Sequence, residues 1–137
     1  MSSPMHFVEV EHTADWAISV RGTTLPELFV NAATGMYSLV ADLTLVSQSV
    51  TYETAARGID AEALLVNWLN ELLYITERDG VVFNAFRIDG FEPTHLRAAA
   101  EAGRGVELKK QIKAVTFHNL QIVSTVDGYE ATIVFDV

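Results

Sequence analysis

The stretch Leu64-Leu65-x-x-Trp68-Leu69-x-x-Leu72-Leu73 most constrains what this chain can become. It sets two adjacent apolar residues on every turn of a helix, a broad stripe that has to be buried against a large surface. Asn67, Asn70, Glu71 and Tyr74 fall off that stripe. Asp60 stands where an N-cap belongs, Glu62 complements the dipole in the first turn, and Asp79-Gly80 supplies a stop with Gly80 suited to a left-handed cap. A second helix is expected over 24–42. Thr24 and Glu27 form a capping box, Pro26 sits in the first turn, and Leu28, Phe29, Ala32, Ala33, Met36, Leu39 and Val40 recur at helical spacing.

The rest of the chain changes to a period of two. Strands are expected over 5–11, 15–21 and 44–56, then at Val81–Ile88 with a turn at Gly90, and at Thr94–Ala102 before a Gly103-Arg104-Gly105 loop. In the 15–21 strand Trp16, Ile18 and Val20 take one face, and Asp15, Ala17, Ser19 and Arg21 the other. A long strand follows over 111–124, a hairpin at Asp127-Gly128, and a last strand Tyr129–Val137 with Ala131, Ile133, Phe135 and Val137 inward and Thr132, Val134 and Asp136 opposite. The order is ββαβα and then four strands. Helices precede strands instead of alternating with them, which argues for α+β with a mostly antiparallel sheet and two main helices in the N-terminal half. No repeat, low-complexity tract or linker interrupts the 137 residues, so one domain over 1–137 is expected.

Charge narrows the function. Nine basic residues stand against eighteen acidic ones, a net charge of −9. Every lysine lies in Lys109-Lys110-x-x-Lys113. Strong direct binding of nucleic acid needs many cations on phosphates and is not expected. A cation or a basic protein partner suits the surface better, although an acidic surface also serves solubility alone. There is no cysteine, which excludes disulfides, thiolate metal sites and cysteine nucleophiles and fits a reducing cytoplasm. The N-terminus lacks the pattern of a signal peptide, and no apolar run approaches the ~18 residues of a membrane span.

Two stretches carry candidate chemistry. Glu11-His12-Thr13-Ala14-Asp15 packs a carboxylate, an imidazole, a hydroxyl and a second carboxylate together, and Val134-Phe135-Asp136-Val137 keeps an apolar strand pattern to its last residue around one aspartate. If Asp15 and Asp136 meet on the polar faces of their strands, they make a hard-oxygen site for Ca²⁺ or Mg²⁺; gathered like charges need such a cation. The competing reading is that each is a solvated strand-end residue. His12 is a ligand or base, or a turn histidine bonded to backbone. Glu11 is a further ligand or a surface carboxylate. His118 is expected to share a strand face with Thr116 and Ala114, with Lys113 pointing the other way as a phosphate- or carboxylate-binding cation or a solvated lysine. No phosphate-binding glycine loop, Ser–His–Asp order or HExxH motif is present.

Together these blocks resemble the archease family. The resemblance is carried by Glu11-His12-Thr13-Ala14-Asp15, by Thr24-Leu25-Pro26-Glu27-Leu28-Phe29 with Asn31-Ala32-Ala33, by Leu64 to Tyr74, by Ile112-Lys113-Ala114-Val115-Thr116-Phe117-His118 and by Phe135-Asp136-Val137. Phe117 stands where the family often has tyrosine, and Trp16 is bulkier than expected. The resemblance implies a non-enzymatic accessory protein of the GTP-dependent RNA-splicing ligase of tRNA splicing and RNA repair. Such a protein promotes guanylylation of the ligase and its multiple turnover. It also implies a divalent cation, Ca²⁺ foremost with Mg²⁺ or Mn²⁺ as alternatives, held by Asp15, Asp136 and Val137. Glu11, His12, Lys113 and His118 become auxiliary or partner-binding candidates. Two other classes stay open: a metal-dependent hydrolase on the same carboxylates, and an acidic chaperone or adaptor.

Overall fold

The computed structural model describes residues 7–11 and 16–137. The elements are β1 (Phe7–Glu11), β2 (Trp16–Gly22), α1 (Leu25–Val40), a 3₁₀ turn (Leu43–Leu45), β3 (Val50–Arg57), α2 (Ala61–Asp79), β4 (Val81–Glu92), β5 (His95–Arg104), β6 (Ala114–Thr116), β7 (Val123–Thr125) and β8 (Gly128–Asp136). Every described strand pairing is antiparallel. One sheet runs β1-β2-β8-β6, with β7 also on β8; the other runs β3-β5-β4. The α+β class read from the sequence is the fold that forms.

The helices join the two sheets. α1 packs on β2 and β4, and α2 on β3, β4 and β6. The α2 stripe is buried along its length, with Leu64, Leu65, Trp68, Leu69 and Leu72 fully inside. Trp68 Nε1–H donates to Phe29 O at 3.1 Å, and Tyr37 O–H donates to Leu72 O at 2.9 Å, so the two polar aromatics of the core are satisfied. Burial holds the Tyr37 phenol well above its ordinary pKa. Tyr37, Tyr52, Phe83, Phe86 and Trp68 form a chain of ring contacts, mostly edge-to-face.

The strand before each helix delivers it in the same way. Arg21-Gly22 ends β2 and Arg57-Gly58 follows the same course at the end of β3. A Cβ on Gly22 would strike the backbone of Leu28, and one on Gly58 the backbone of Leu64. Each helix then starts on a side-chain cap, Thr24 Oγ1 to Glu27 N–H or Asp60 Oδ1 to Ala63 N–H. Asn31 Nδ2 donates to Arg21 O at 2.7 Å and Asn67 Nδ2 to Arg57 O at 2.6 Å. Thus Arg21-Gly22 through Val30-Asn31 and Arg57-Gly58 through Val66-Asn67 are two copies of one strand–helix unit, which corrects the expectation of a chain without internal repeats: the shared Arg-Gly and Val-Asn are too few to stand out until their matching hydrogen bonds are seen.

Several expected boundaries move. The 44–56 segment opens with the 3₁₀ turn and becomes a strand only at Val50. Gly90 does not turn the chain: it lies within β4 at a register shift, and β4 runs on to Glu92 before the Pro93-Thr94 turn. Gly103 and Arg104 belong to β5. Ala17 and Val134, expected on polar faces, are buried, so this part of the sheet is covered on both sides.

The long 111–124 strand does not exist. Ala114 pairs with Asp136, so an unbroken strand would set position 123 opposite 127; Val123 instead pairs with Glu130. Three residues are looped out, which gives five strands after α2 instead of four. The physical cause is local. Leu120 N–H turns back to Phe117 O at 3.0 Å, Asn119 takes a left-handed φ of 51°, and Ile122 N–H donates to Glu62 Oε2 at the start of α2. The apolar residues there follow no strand period; the turn satisfies their backbone groups instead.

Candidate functional site

Asp136 is the last residue of β8 and is exposed. Its neighbour Phe135 is buried and pairs with Trp16 of β2 on one side and Val115 of β6 on the other. The aspartate therefore emerges from a sheet held on both edges. Its own carbonyl accepts Lys113 N–H at 2.8 Å. No side chain among the described residues bonds its carboxylate. Val137 is half-buried and packs against the core, which keeps the end of the strand in place.

His12 and Asp15 lie outside the described residues, as does the Glu11 side chain; the Glu11 backbone pairs with Trp16. The meeting of Asp15 with Asp136 therefore rests on no described contact. What is described is Trp16, directly after Asp15, facing Phe135, directly before Asp136. Among the described residues no group of three His, Asp or Glu side chains gathers as a metal site. The chemistry of Asp136 suits a hard cation, since an exposed carboxylate with no bond from the described side chains, on a strand end paired into the sheet, is a hard oxygen donor.

The lysines collect on the same margin. Lys109 N–H and Lys110 N–H both point to Val40 O, at 2.7 and 3.4 Å, and Lys110 Nζ sits 4.0 Å from the Trp16 ring centre, a cation–π contact. Lys113 is exposed and anchored to Asp136 through backbone alone. His118 departs from expectation. It does not share a strand face with Thr116 and Ala114, because β6 ends at Thr116. His118 lies in the following turn, exposed, with its N–H on Thr116 Oγ1 and its Nε2 3.3 Å from Asn119 Nδ2. It therefore sits beyond the end of β6 opposite to the Asp136 end.

One positioning residue escapes a reading by motif. Asn70 of α2 accepts Val115 N–H at 2.9 Å and donates to Val115 O at 3.3 Å. Its amide plays the part of a neighbouring strand and closes the outer edge of β6, thereby fixing the strand that pairs with Asp136. The only sequence signal was an asparagine on the polar side of a strongly apolar helix, which names no target.

Comparison with known proteins adds a family. The model described as the Archease protein family (MTH1598/TM1083) matches residues 7–137. The protein archease of Methanosarcina barkeri is 38% identical over 136 residues, 93% of each chain. That of Archaeoglobus fulgidus is 31% identical over 137 residues, covering 97% of this chain and all of its own. The solution structure of Methanobacterium thermoautotrophicum protein 1598 superposes with a TM-score of 0.76 at 28% identity, over 96% of this chain and 99% of the other. A Thermotoga maritima crystal structure, described as an archease and possible chaperone, has the same fold with a TM-score of 0.71 at 23% identity, over 100% and 98% of the chains.

Proposed function

The chain belongs to the archease family, and from that premise we propose that it is a non-enzymatic activator of the GTP-dependent RNA-splicing ligase, promoting guanylylation and multiple turnover in tRNA splicing and RNA repair. The observation that carries the reading is Asp136: an exposed carboxylate with no described side-chain partner, held at the end of a sheet strand within the family match. In this proposal Asp15, Asp136 and Val137 hold a divalent cation, Ca²⁺ foremost and Mg²⁺ or Mn²⁺ as alternatives. The bound ion would supply positive charge able to hold phosphate or carboxylate oxygens of the partner site. The protein's own part is to present the Asp136 carboxylate at a strand end paired into the sheet, with the buried Phe135 before it and the Lys113 backbone bonded to its carbonyl. Glu11, His12 and His118 remain auxiliary candidates, and the place of action is the cytoplasm. The net charge of −9 favours work through a basic ligase over direct grip on RNA.

The test is multiple-turnover ligation by the ligase with GTP and a divalent metal. Sub-stoichiometric protein should raise turnover, and Asp136→Ala should lose at least about tenfold of the stimulation while melting like wild type, since an exposed position carries little stability. Calorimetric Ca²⁺ titration should show binding by wild type and none by Asp136→Ala. A wild-type protein that leaves turnover unchanged overturns the activator reading. Metal-dependent phosphate release from small phosphoesters would favour a hydrolase instead.

A further inference from the structure

We propose that the groove between the start of α2 and the 117–121 turn docks a basic segment of the partner protein carrying one apolar anchor residue, a proposal that rests on the ligase reading above. The groove is open, about 920 Å³, and is lined by Ile59, Asp60, Glu62, Phe117, Asn119 and Leu120 among others, none of the lining residues being Lys or Arg. Ile59 is 91% exposed and Phe117 59%, two large apolar side chains lining one groove.

Neither is a loose loop residue. The Phe117 turn is fastened by Leu120 N–H to Phe117 O, His118 N–H to Thr116 Oγ1 and Ile122 N–H to Glu62 Oε2. Ile59 lies between Gly58, pressed on the α2 backbone, and the cap Asp60. Holding apolar groups rigidly in water has no benefit to this fold and lowers the entropic cost of docking. The repeated unit sharpens the point. The position of Ile59 in the first copy is Thr23, a polar residue whose N–H and hydroxyl both bond to Glu27. Where the unit only has to fold, that position is polar and locally bonded; beside the groove it is apolar and open.

Charge chooses the occupant. Asp60 and Glu62 each spend one carboxylate oxygen on backbone, Oδ1 on Ala63 N–H and Oε2 on Ile122 N–H, leaving Oδ2 and Oε1 without a described bond in the lining of the groove. A Lys or Arg flanking the anchor meets those oxygens. RNA phosphate is repelled by the same pair, and so is a second copy that brings its own carboxylates. The groove also lies where a partner at Asp136 can reach it. β6 pairs Ala114 with Asp136 and Thr116 with Val134, and Phe117 is the next residue, about 10 Å along the strand direction at roughly 3.3 Å per residue.

The experiment measures binding of the purified ligase, and its turnover, with Ile59→Thr, Phe117→Ser and Asp60→Asn, the last keeping a good N-cap while removing the charge. Ile59→Thr and Phe117→Ser should each weaken binding about tenfold, as truncated anchors do, with unchanged melting. Asp60→Asn should weaken it less and flatten the salt dependence. Full stimulation should return when these variants are added in excess, whereas Asp136→Ala stays inactive at any concentration. Wild-type affinity in both apolar variants overturns the docking surface and leaves the activator reading intact. A wild-type protein that does not bind the ligase overturns both. A wild-type dimer in sedimentation that Phe117→Ser dissolves assigns the groove to a second copy and overturns it as well.

Discussion

The two strand–helix units are built alike and face different ways. In β2–α1 the spare polar groups bond inward: Glu27 returns to Thr23, and Thr34 Oγ1 donates to Val30 O of its own helix. In β3–α2 the matching side reaches outward. Asn70, at the position of Thr34, clasps Val115, and Glu62 takes Ile122 N–H. The first unit contributes core. The second organises β6 and the 117–122 turn, the irregular stretch beside which Asp136, Lys113 and His118 lie. A duplicated scaffold thus separates stability from chemistry by which polar residues stand on either side of the shared asparagine, not by a change of fold.

The comparison breaks most sharply at its two glycines. Ala at Gly22 or Gly58 would put a Cβ 2.7 Å from Leu28 Cα or 2.7 Å from Ala63 C, both backbone atoms that move only with the helix. Each substitution should cost about 3 kcal/mol in chemical denaturation. A much smaller loss in one of them would show that the units are not held alike.

Asparagines come next. Asn70→Ala should cost about 2 kcal/mol, because it orphans an N–H and a carbonyl of the buried Val115. It should also speed hydrogen exchange at Val115. Asn31→Ala and Asn67→Ala each lose one bond at the margin and should cost about 1 kcal/mol, equally in both units. Unequal costs would mean that the capped carbonyls differ in exposure to water.

The smallest difference lies at the helix ends. The Asp79 carboxyl is held well below the ordinary carboxylate range, first by the Arg78 guanidinium and then by the Tyr52 hydroxyl, which ties the end of α2 to β3. Asp42, after α1, is lowered chiefly by Thr44 within its own turn. A carboxyl with a depressed folded pKa adds stability above its unfolded value of about 3.9 and loses it as pH falls toward the folded value. Acid unfolding should therefore shift to higher pH in Asp79→Asn and less in Asp42→Asn, read by circular dichroism between neutral pH and the acid limb. Equal shifts would remove the distinction between a tertiary tie and a local cap.

Much of this was legible in advance because it is local. Caps at Thr24 and Asp60, the left-handed Gly80 with φ 67°, the α2 stripe and the hairpin before Gly128 each depend on residues within a turn or two of one another. The motif blocks pointed to the family for the same reason: they are contiguous runs of residues. The candidate site was legible only as residue types. Asp136 was marked as a strand-end carboxylate, but its release from the sheet depends on Phe135 being pinned between Trp16 and Val115.

What composition and periodicity determined by themselves is the α+β class, the two helices with their caps, and a net charge of −9. Tertiary structure alone decided that the 111–124 run breaks into β6, a turn and β7, that His118 parts from the Asp136 end, and that Asn70 and Glu62 hold distant backbone. Those outcomes turn on hydrogen bonds between residues 45 and 60 positions apart, whose partners exist only once both sheets have closed on α2. Alternation and propensity report neighbours along the chain, and they carry no information about which distant edge a polar side chain will meet.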